Sequence, residues 1–317
     1  MSNIRSLLRA LFFQPNVEKE TLPKFPNFKP LEILDKKIIE AITNKFPPYS
    51  DFNFLSLWSW NIQGETRISQ LHGNLVVRFT DYLTGQPFYS FLGNNRINDT
   101  VNALFELSRE EKIPQILKLI PEDSIKNLDK NRFKLEEDRD NFDYIYPIEK
   151  LKTYDGNKLR GRRNFCNRFK NKYSAKVKII EIPNQDVILS LFLLWAKNKG
   201  RTPDEVKNEQ EALKKCLLIK NNADIIIIGI FIKEELIAFS ICDVLRPKYV
   251  ILHFEKADER YEGIYSFLMQ ENAKIFSVNG FKYINFEQDL GIPGLRLSKK
   301  SFYPAFFLKK YTIKNFS

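Results

Sequence analysis

Residues 225–286 read IIIIGIFIKEELIAFSICDVLRPKYVILHFEKADERYEGIYSFLMQENAKIFSVNGFKYINF, and this stretch decides the fold. Ile225 to Ile232 is dominated by β-branched isoleucine, whose stiff χ1 suits a strand. Asp224 and Lys233 bound the run, so it is far too short to span a bilayer. The turn Lys233-Glu234-Glu235 leads into a second apolar run, Leu236 to Val244, and a third follows at Tyr249 to Glu255. The period then becomes helical from about Arg260 to Ser277, breaks at Gly280, and returns to a strand at Tyr283 to Phe286. Upstream, Val187, Ile188, Leu191, Phe192 and Trp195 mark one helix. A second is expected from Pro203 to Ile219, with Thr202 as cap and proline in its first turn. A last strand is expected over Ala305 to Thr312.

Helix, helix, three strands, helix, strand, strand is the order of the GCN5-related N-acetyltransferase (GNAT) fold, an α/β class built on a mixed sheet. The first half gives a second mixed α/β layer. Residues 15–30 carry four prolines and read as an extended lead-in. A helix begins near Leu31 (Leu34, Ile38, Ile39, Ile42) and ends at Pro47-Pro48. An aromatic cluster follows at Phe54 to Trp60, then strands at Asn74 to Phe79 and Pro87 to Leu92 around a Thr84-Gly85-Gln86 turn. A helix over Asp99 to Arg109 and strands at Ile116 to Ile120 and Phe142 to Tyr146 complete it. We expect two domains, 1–150 and 151–317, with the chemistry in the second.

Composition excludes several classes. The three cysteines, Cys166, Cys216 and Cys242, form no C-x-x-C pair, which argues against a disulfide framework and a zinc knuckle. Two histidines, His72 and His253, are too few for a histidine-rich metal site, so no metal is expected. No run reaches the roughly 20 apolar residues of a transmembrane helix, and the first residues, MSNIRSLLRALFF, lack a cleavage site. They read as a terminal extension or an amphipathic surface helix. A cytoplasmic protein is expected.

The formal charge is +11, and it is concentrated. Between Lys150 and Lys178 lie eleven Lys or Arg against one acid, Asp155, so this segment holds ten of the eleven net positive charges. Such a field attracts polyanions. Residues 157–173 suit a helix with Phe165 and Phe169 on one face.

Three segments carry a family resemblance: SDFNFLSLWSW (50–60), DRDNFDYIYPIEKLKTYDGNKLRGRRNFCNRFKNKY (138–173), and HFEKADERYEGIYSFLMQENAK with INFEQDLGIPGLRLSKKSFYPAFFLKKY (253–274 and 284–311). Together they resemble the family named for the C-terminal domain of phosphatidylglycerol lysyltransferase. That resemblance implies tandem GNAT-like domains and transfer of an aminoacyl group from aminoacyl-tRNA, in its best-known members to a lipid head group. The multi-spanning membrane domain of the full lysyltransferases is not in this chain.

Acyl transfer needs a positioned donor, a deprotonated nucleophile and hydrogen-bond donors at the developing oxyanion. Aminoacyl-tRNA adds cations for phosphate and an anchor for the α-ammonium. Lys158, Arg160, Arg162, Arg163 and Arg168 are the candidate phosphate- or tRNA-binding set, unless they are only a solvated basic face. Strand alternation puts Ile251, His253 and Glu255 on one face and Leu252 and Phe254 on the other. Glu255 is a candidate base or ammonium anchor, or else a salt-bridge partner of Lys256 or of the basic segment; His253 is a second acid/base candidate, or else a satisfied core histidine. Asn285, Glu287 and Asp289 share a face with Tyr283 if their strand runs that far, forming a polar pocket with Asp289 as a catalytic candidate and Asn285 and Glu287 as substrate contacts; otherwise 287–291 is a surface turn with Asp289 bonded to backbone amides. Gly291-Ile-Pro-Gly294 forces a tight loop, and Lys299 and Tyr303 follow. By the family resemblance, Lys299 is the functional cation for a substrate carbonyl or phosphate. For acyl-CoA, the alternative donor, Arg260 and Gly263 match the start of a pyrophosphate loop, although Tyr265 is bulky there and Glu262 is acidic. No tightly bound cofactor is expected. Expected partners are tRNA or another polyanion, with peripheral contact to an anionic membrane; a non-catalytic RNA- or membrane-binding protein is the remaining reading.

Overall fold

The computed structural model describes residues 21–81, 84–181, 183–219, 224–245 and 248–316. The amphipathic N-terminal reading falls outside them. The first half holds β1 (Lys29–Pro30), α1 (Lys36–Thr43), α2 (Phe54–Ser59), β2 (Arg67–Leu71), β3 (Asn74–Thr80), β4 (Pro87–Leu92), α3 (Ile97–Glu110), β5 (Ile116–Pro121), β6 (Phe133–Glu137), β7 (Asp143–Pro147) and α4 (Ile148–Thr153). The second holds α5 (Arg160–Lys172), β8 (Lys176–Ile179), α6 (Gln185–Asn198), α7 (Pro203–Leu218), β9 (Ile225–Ile232), β10 (Glu235–Leu245), β11 (Tyr249–Ala257), α8 (Ile264–Val278), β12 (Tyr283–Asn285), α9 (Pro293–Lys300), β13 (Phe306–Leu308) and β14 (Lys310–Asn315).

Local chemistry explains many boundaries. Asn53 caps α2 by accepting from Ser56 N–H, and Asn184 does the same for α6. Thr202 and Glu205 form a reciprocal capping box ahead of Pro203. Lys233 and Glu234 take positive φ in the β9–β10 hairpin, the conformation a two-residue turn between twisted strands requires.

The strands form two seven-stranded sheets, ordered β1-β2-β3-β4-β5-β14-β6 and β13-β7-β12-β11-β10-β9-β8. Two strands cross the division expected at residue 150: β7 lies in the second sheet and β14 in the first. The single final strand expected over 305–312 is therefore two. β13 pairs with β7, and after Lys309 the chain enters the other sheet between β5 and β6. One core is common to both halves, packing Phe52, Ile68 and Leu75 with Phe192, Leu213, Phe239 and Phe254. The other face of the second sheet is covered by α4, α5 and α8 through Leu151, Phe169 and Leu268.

The crossing carries an ion cluster. Lys310 is fully buried, and its ammonium meets Asp143 Oδ1 at 2.8 Å and the carboxylate of Asp51. A buried cation stripped of a partner keeps its desolvation cost. Truncating the other side of the pair strands a carboxylate in the same way, so Lys310→Ala should lower the unfolding free energy by about 3–5 kcal/mol. Urea denaturation at pH 7 measures this.

Candidate active site

The site forms where β11 and β12 part. Their parallel ladder lasts three residues, Tyr249↔Tyr283, Val250↔Ile284 and Ile251↔Asn285. β12 then stops: Asn285 Oδ1 accepts the Glu287 N–H at 2.7 Å, and Glu287 adopts a left-handed φ of 57°. A non-glycine residue held there is strained, and such strain gathers at functional sites. From Leu252 to Ala257, β11 has no β12 residue paired to this edge. On the opposite edge the register jumps from Ile241↔Phe254 to Cys242↔Leu252, leaving His253 as the extra residue of a β-bulge.

The bulge corrects the expected alternation. Leu252 packs into the core under α8 while Phe254 packs into the core shared by the halves, so they lie on opposite faces. His253 and Glu255 consequently point differently. His253 Nδ1 lies 2.9 Å from Glu287 Oε1 and 3.4 Å from Ser56 Oγ, while its Nε2 is buried without a hydrogen-bond partner. Glu255 Oε2 is likewise sealed from solvent and unpartnered. Burial pushes this carboxyl up to about 7, against the pull of Lys256, Arg162 and Lys299. The salt bridge to Lys256 does not form, because that ammonium binds Glu209 at 2.7 Å over the Trp195 ring.

Lys299 reaches in from α9. Its ammonium donates to the carbonyls of Phe286 and Gln288, both at 2.5 Å, and burial pulls its pKa down to about 8. It therefore braces the loop beyond β12 while adding charge near Glu255. Lys300 beside it is exposed. The expected common face for Asn285, Glu287 and Asp289 does not exist, because the strand ends at Asn285. Asn285 Nδ2 donates to Pro48 O at 2.8 Å. Asp289 is fully engaged by Arg296 (2.7 Å), Arg139 (3.3 Å), the Tyr144 hydroxyl and the Gly291 N–H. Burial raises its pKa, but Arg296, Tyr144 and Gly291 outweigh that and hold it below the usual value. The loop is tight at Gly291 (φ 71°), yet Pro293 and Gly294 already belong to α9.

The five candidate cations do not share one face. Arg162 turns inward, its guanidinium 4.1 Å from the Phe302 ring centre and bonded to Ser301 Oγ. Arg163 donates to Tyr154 O at 2.7 Å, and Arg168 pairs with Glu262 at 2.9 Å. Lys158, 5.8 Å over the Tyr303 ring, and Arg160 are exposed. Of the two phenylalanines of α5, only Phe169 is buried; Phe165 is 42% exposed. The pyrophosphate match is taken up by packing. Arg260 clamps Asp258, and Gly263 (φ 87°) lies where α8 begins against α5, so close that a Cβ would stand 2.2 Å from Phe165 O. Tyr303 is half exposed at the rim. A groove of about 450 Å³ on the first sheet, lined by Phe28, Arg67, Arg78 and Glu111, shares no residue with this site.

Sequence reading missed Ser56, the Arg139–Asp289–Arg296 network and the Lys310 cluster. Asp143 within FDYIYP and Lys310 within FFLKKY are charges set in apolar strands, which was the available signal. No His/Cys/Asp/Glu group among the described residues has the arrangement of a metal site.

A free strand edge, a bulge and an unpartnered carboxyl beside two cations suit acyl transfer. The family described as phosphatidylglycerol lysyltransferase, C-terminal, matches residues 45–314, and the chain belongs to it. Its fold is GNAT-like in tandem. A conserved protein of unknown function from Bacteroides thetaiotaomicron is 28% identical and superposes with a TM-score of 0.82, over 93% of this chain and 100% of that one. The C-terminal domain of a putative lysylphosphatidylglycerol synthetase from Agrobacterium fabrum, at 12% identity, shares the fold with a TM-score of 0.62 over 88% and 90% of the two chains. An uncharacterized protein of Mycoplasmoides gallisepticum is 25% identical over 54% of this chain; the match spans about half (55%) of that relative's length. Among the described residues no helix is long and apolar enough to cross a membrane.

The Glu255 carboxyl has a raised pKa, so the folded protein binds more protons than the unfolded chain between about 4.5 and 7. Its contribution to stability falls as pH rises through that window. Glu255→Gln should therefore be more stable than the native chain by about 2–3 kcal/mol at pH 8, and nearly equal to it at pH 4.5. Calorimetric melting at the two pH values measures the difference.

Proposed function

We propose that the chain is an aminoacyltransferase that passes an aminoacyl group from aminoacyl-tRNA to an amine or hydroxyl acceptor. The observation that carries this reading is Glu255, unpartnered and poised near neutral pH on the free edge of β11. A base works best when its pKa lies near the working pH. Glu255 takes the acceptor's proton as the acceptor attacks the aminoacyl carbonyl. Backbone N–H groups of the free edge receive the oxyanion, and collapse expels the terminal ribose oxygen, which is protonated as it leaves. Arg162 and Lys299 supply positive potential around the ester. Direct attack needs no covalent enzyme intermediate, in keeping with three buried cysteines. The family's description makes the glycerol hydroxyl of phosphatidylglycerol one candidate acceptor. An aminoacyl-tRNA donor implies a cytoplasmic reaction.

Aminoacyl-tRNA is favoured over acyl-CoA because the loop before α8 is closed by α5 and edged by the acidic Glu262. The exposed Lys158 and Arg160 are the contacts for the donor's phosphates.

Incubation with a mixture of labelled aminoacyl-tRNAs and membrane or cell extract should move label into an acceptor, with a rate that climbs as pH rises through about 7. Glu255→Gln should lower kcat by about 10²–10⁴ with little change in KM. Label that never leaves tRNA sinks the reaction; undiminished kcat removes Glu255 from it. Replacing Lys158 and Arg160 together by Ala should weaken tRNA binding and reduce the slope of log K against log salt by about 1.5. Filter binding at several ionic strengths reads this directly.

A further inference from the structure

We infer that Lys310, Asp143 and Asp51 are positioning residues for this site: they hold the loop 285–288 that sets Glu287 against His253, and so tie the site to the N-terminal half. The inference rests on the site proposed above.

The connections run through hydrogen bonds and close polar contacts. Lys310 Nζ lies 2.8 Å from Asp143 Oδ1 and 3.3 Å from Ser50 Oγ, and it contacts Asp51. Asp143 accepts the Ser50 N–H at 2.8 Å and the Ser50 hydroxyl at 2.6 Å. Ser50 Oγ stands 2.8 Å from the Gln288 side-chain amide, whose nitrogen lies 3.4 Å from Asp51 Oδ1. Asn285 Nδ2 lies 3.4 Å from Asp143 Oδ2, and Asn285 Oδ1 takes the Glu287 N–H. Glu287 then meets His253, which also faces Ser56, three residues beyond Asn53 on the same N-terminal segment. The cluster thus grips the two residues flanking Glu287 in space, Asn285 and Gln288, while Lys299 grips the carbonyls of Phe286 and Gln288.

Several charges face Asp51: Lys310 from β14, Asp143 from β7 and Glu287 from the loop after β12, with Lys299 acting on Asp143 and Lys310 from α9. Burial, with repulsion from Asp143 and Glu287, pushes Asp51 up to about 6, and Lys310 opposes this. Loss of the Asp51 charge below that pH weakens its attraction for Lys310 and the hydrogen bond it accepts from Gln288, and relaxes the hold on the loop. A purely structural cluster would change stability and leave His253 untouched.

The chain has two histidines, so imidazole ¹³C NMR resolves His253, with His72, bonded to Thr100 at 3.1 Å, as an internal control. The His253 resonance of the native chain should move with an inflection near pH 6 that is lost in Asp51→Asn. Gln288→Leu, which strands no buried charge, should displace the His253 resonance by itself. His72 should superimpose in all three proteins. His253 curves that coincide in the native chain and Gln288→Leu overturn the inference, whether or not Asp51→Asn folds. A His253 response without aminoacyl transfer leaves the positioning standing and sinks the reaction. Transfer with an unresponsive His253 overturns the positioning alone.

Discussion

The fold depends on a single buried cation accepted at a strand crossing. When the chain leaves β13 for β14 it changes sheets, and the first residue on the far side, Lys310, carries its ammonium into a fully enclosed space. Only Asp143 and Asp51 make that position tolerable, since an isolated ammonium out of water loses several kcal/mol of hydration. One carboxylate sits on β7, itself in the second sheet, and the other lies just before α2 in the first half. The pairing therefore selects one way for the two halves to meet. The shared core of Phe52, Phe192, Phe239 and Phe254 supplies most of the driving force, but the hydrophobic effect is non-directional.

The site is the opposite case, a place where pairing is withheld. β12 ends after three ladder pairs, β11 bulges at His253, and Glu255 keeps an oxygen without a donor. Each feature leaves a group without its usual partner: a backbone edge, an imidazole nitrogen and a carboxyl oxygen. The neighbouring ion pairs keep this imperfection local. Asp289 with Arg139 and Arg296 fastens one end of the loop, and Lys299 fastens its middle.

Charge concentration alone gives a misleading picture of the basic segment. Eleven cations in the sequence read as one concentrated field, yet α5 distributes its arginines among an aromatic stack, a carbonyl, an ion pair and solvent. A helix presents residues at 100° steps, so neighbours in sequence diverge in space. Exposed cations remain at both ends of the helix: Lys158 and Arg160 near Tyr303, and Arg168, Lys170 and Lys172 in its last turns.

The sequence by itself determined the order of elements from α6 to β12, the cap at Thr202 and the strands within Ile225 to Glu255, because these rest on local periodicity and short-range hydrogen bonds; the family was legible through the resemblance of three long segments. Glu255 was legible as a candidate from its place on a strand, and Lys299 only through the family resemblance. Only the tertiary structure decided the exchange of β7 and β14, the bulge at His253, the inward turn of Arg162 and the engagement of Asp289. Each of these is settled by partners far away in the chain: a register shift is a relation between two strands, and a buried ion pair joins residues 167 positions apart. Alternation along one strand carries no record of the strand it will meet.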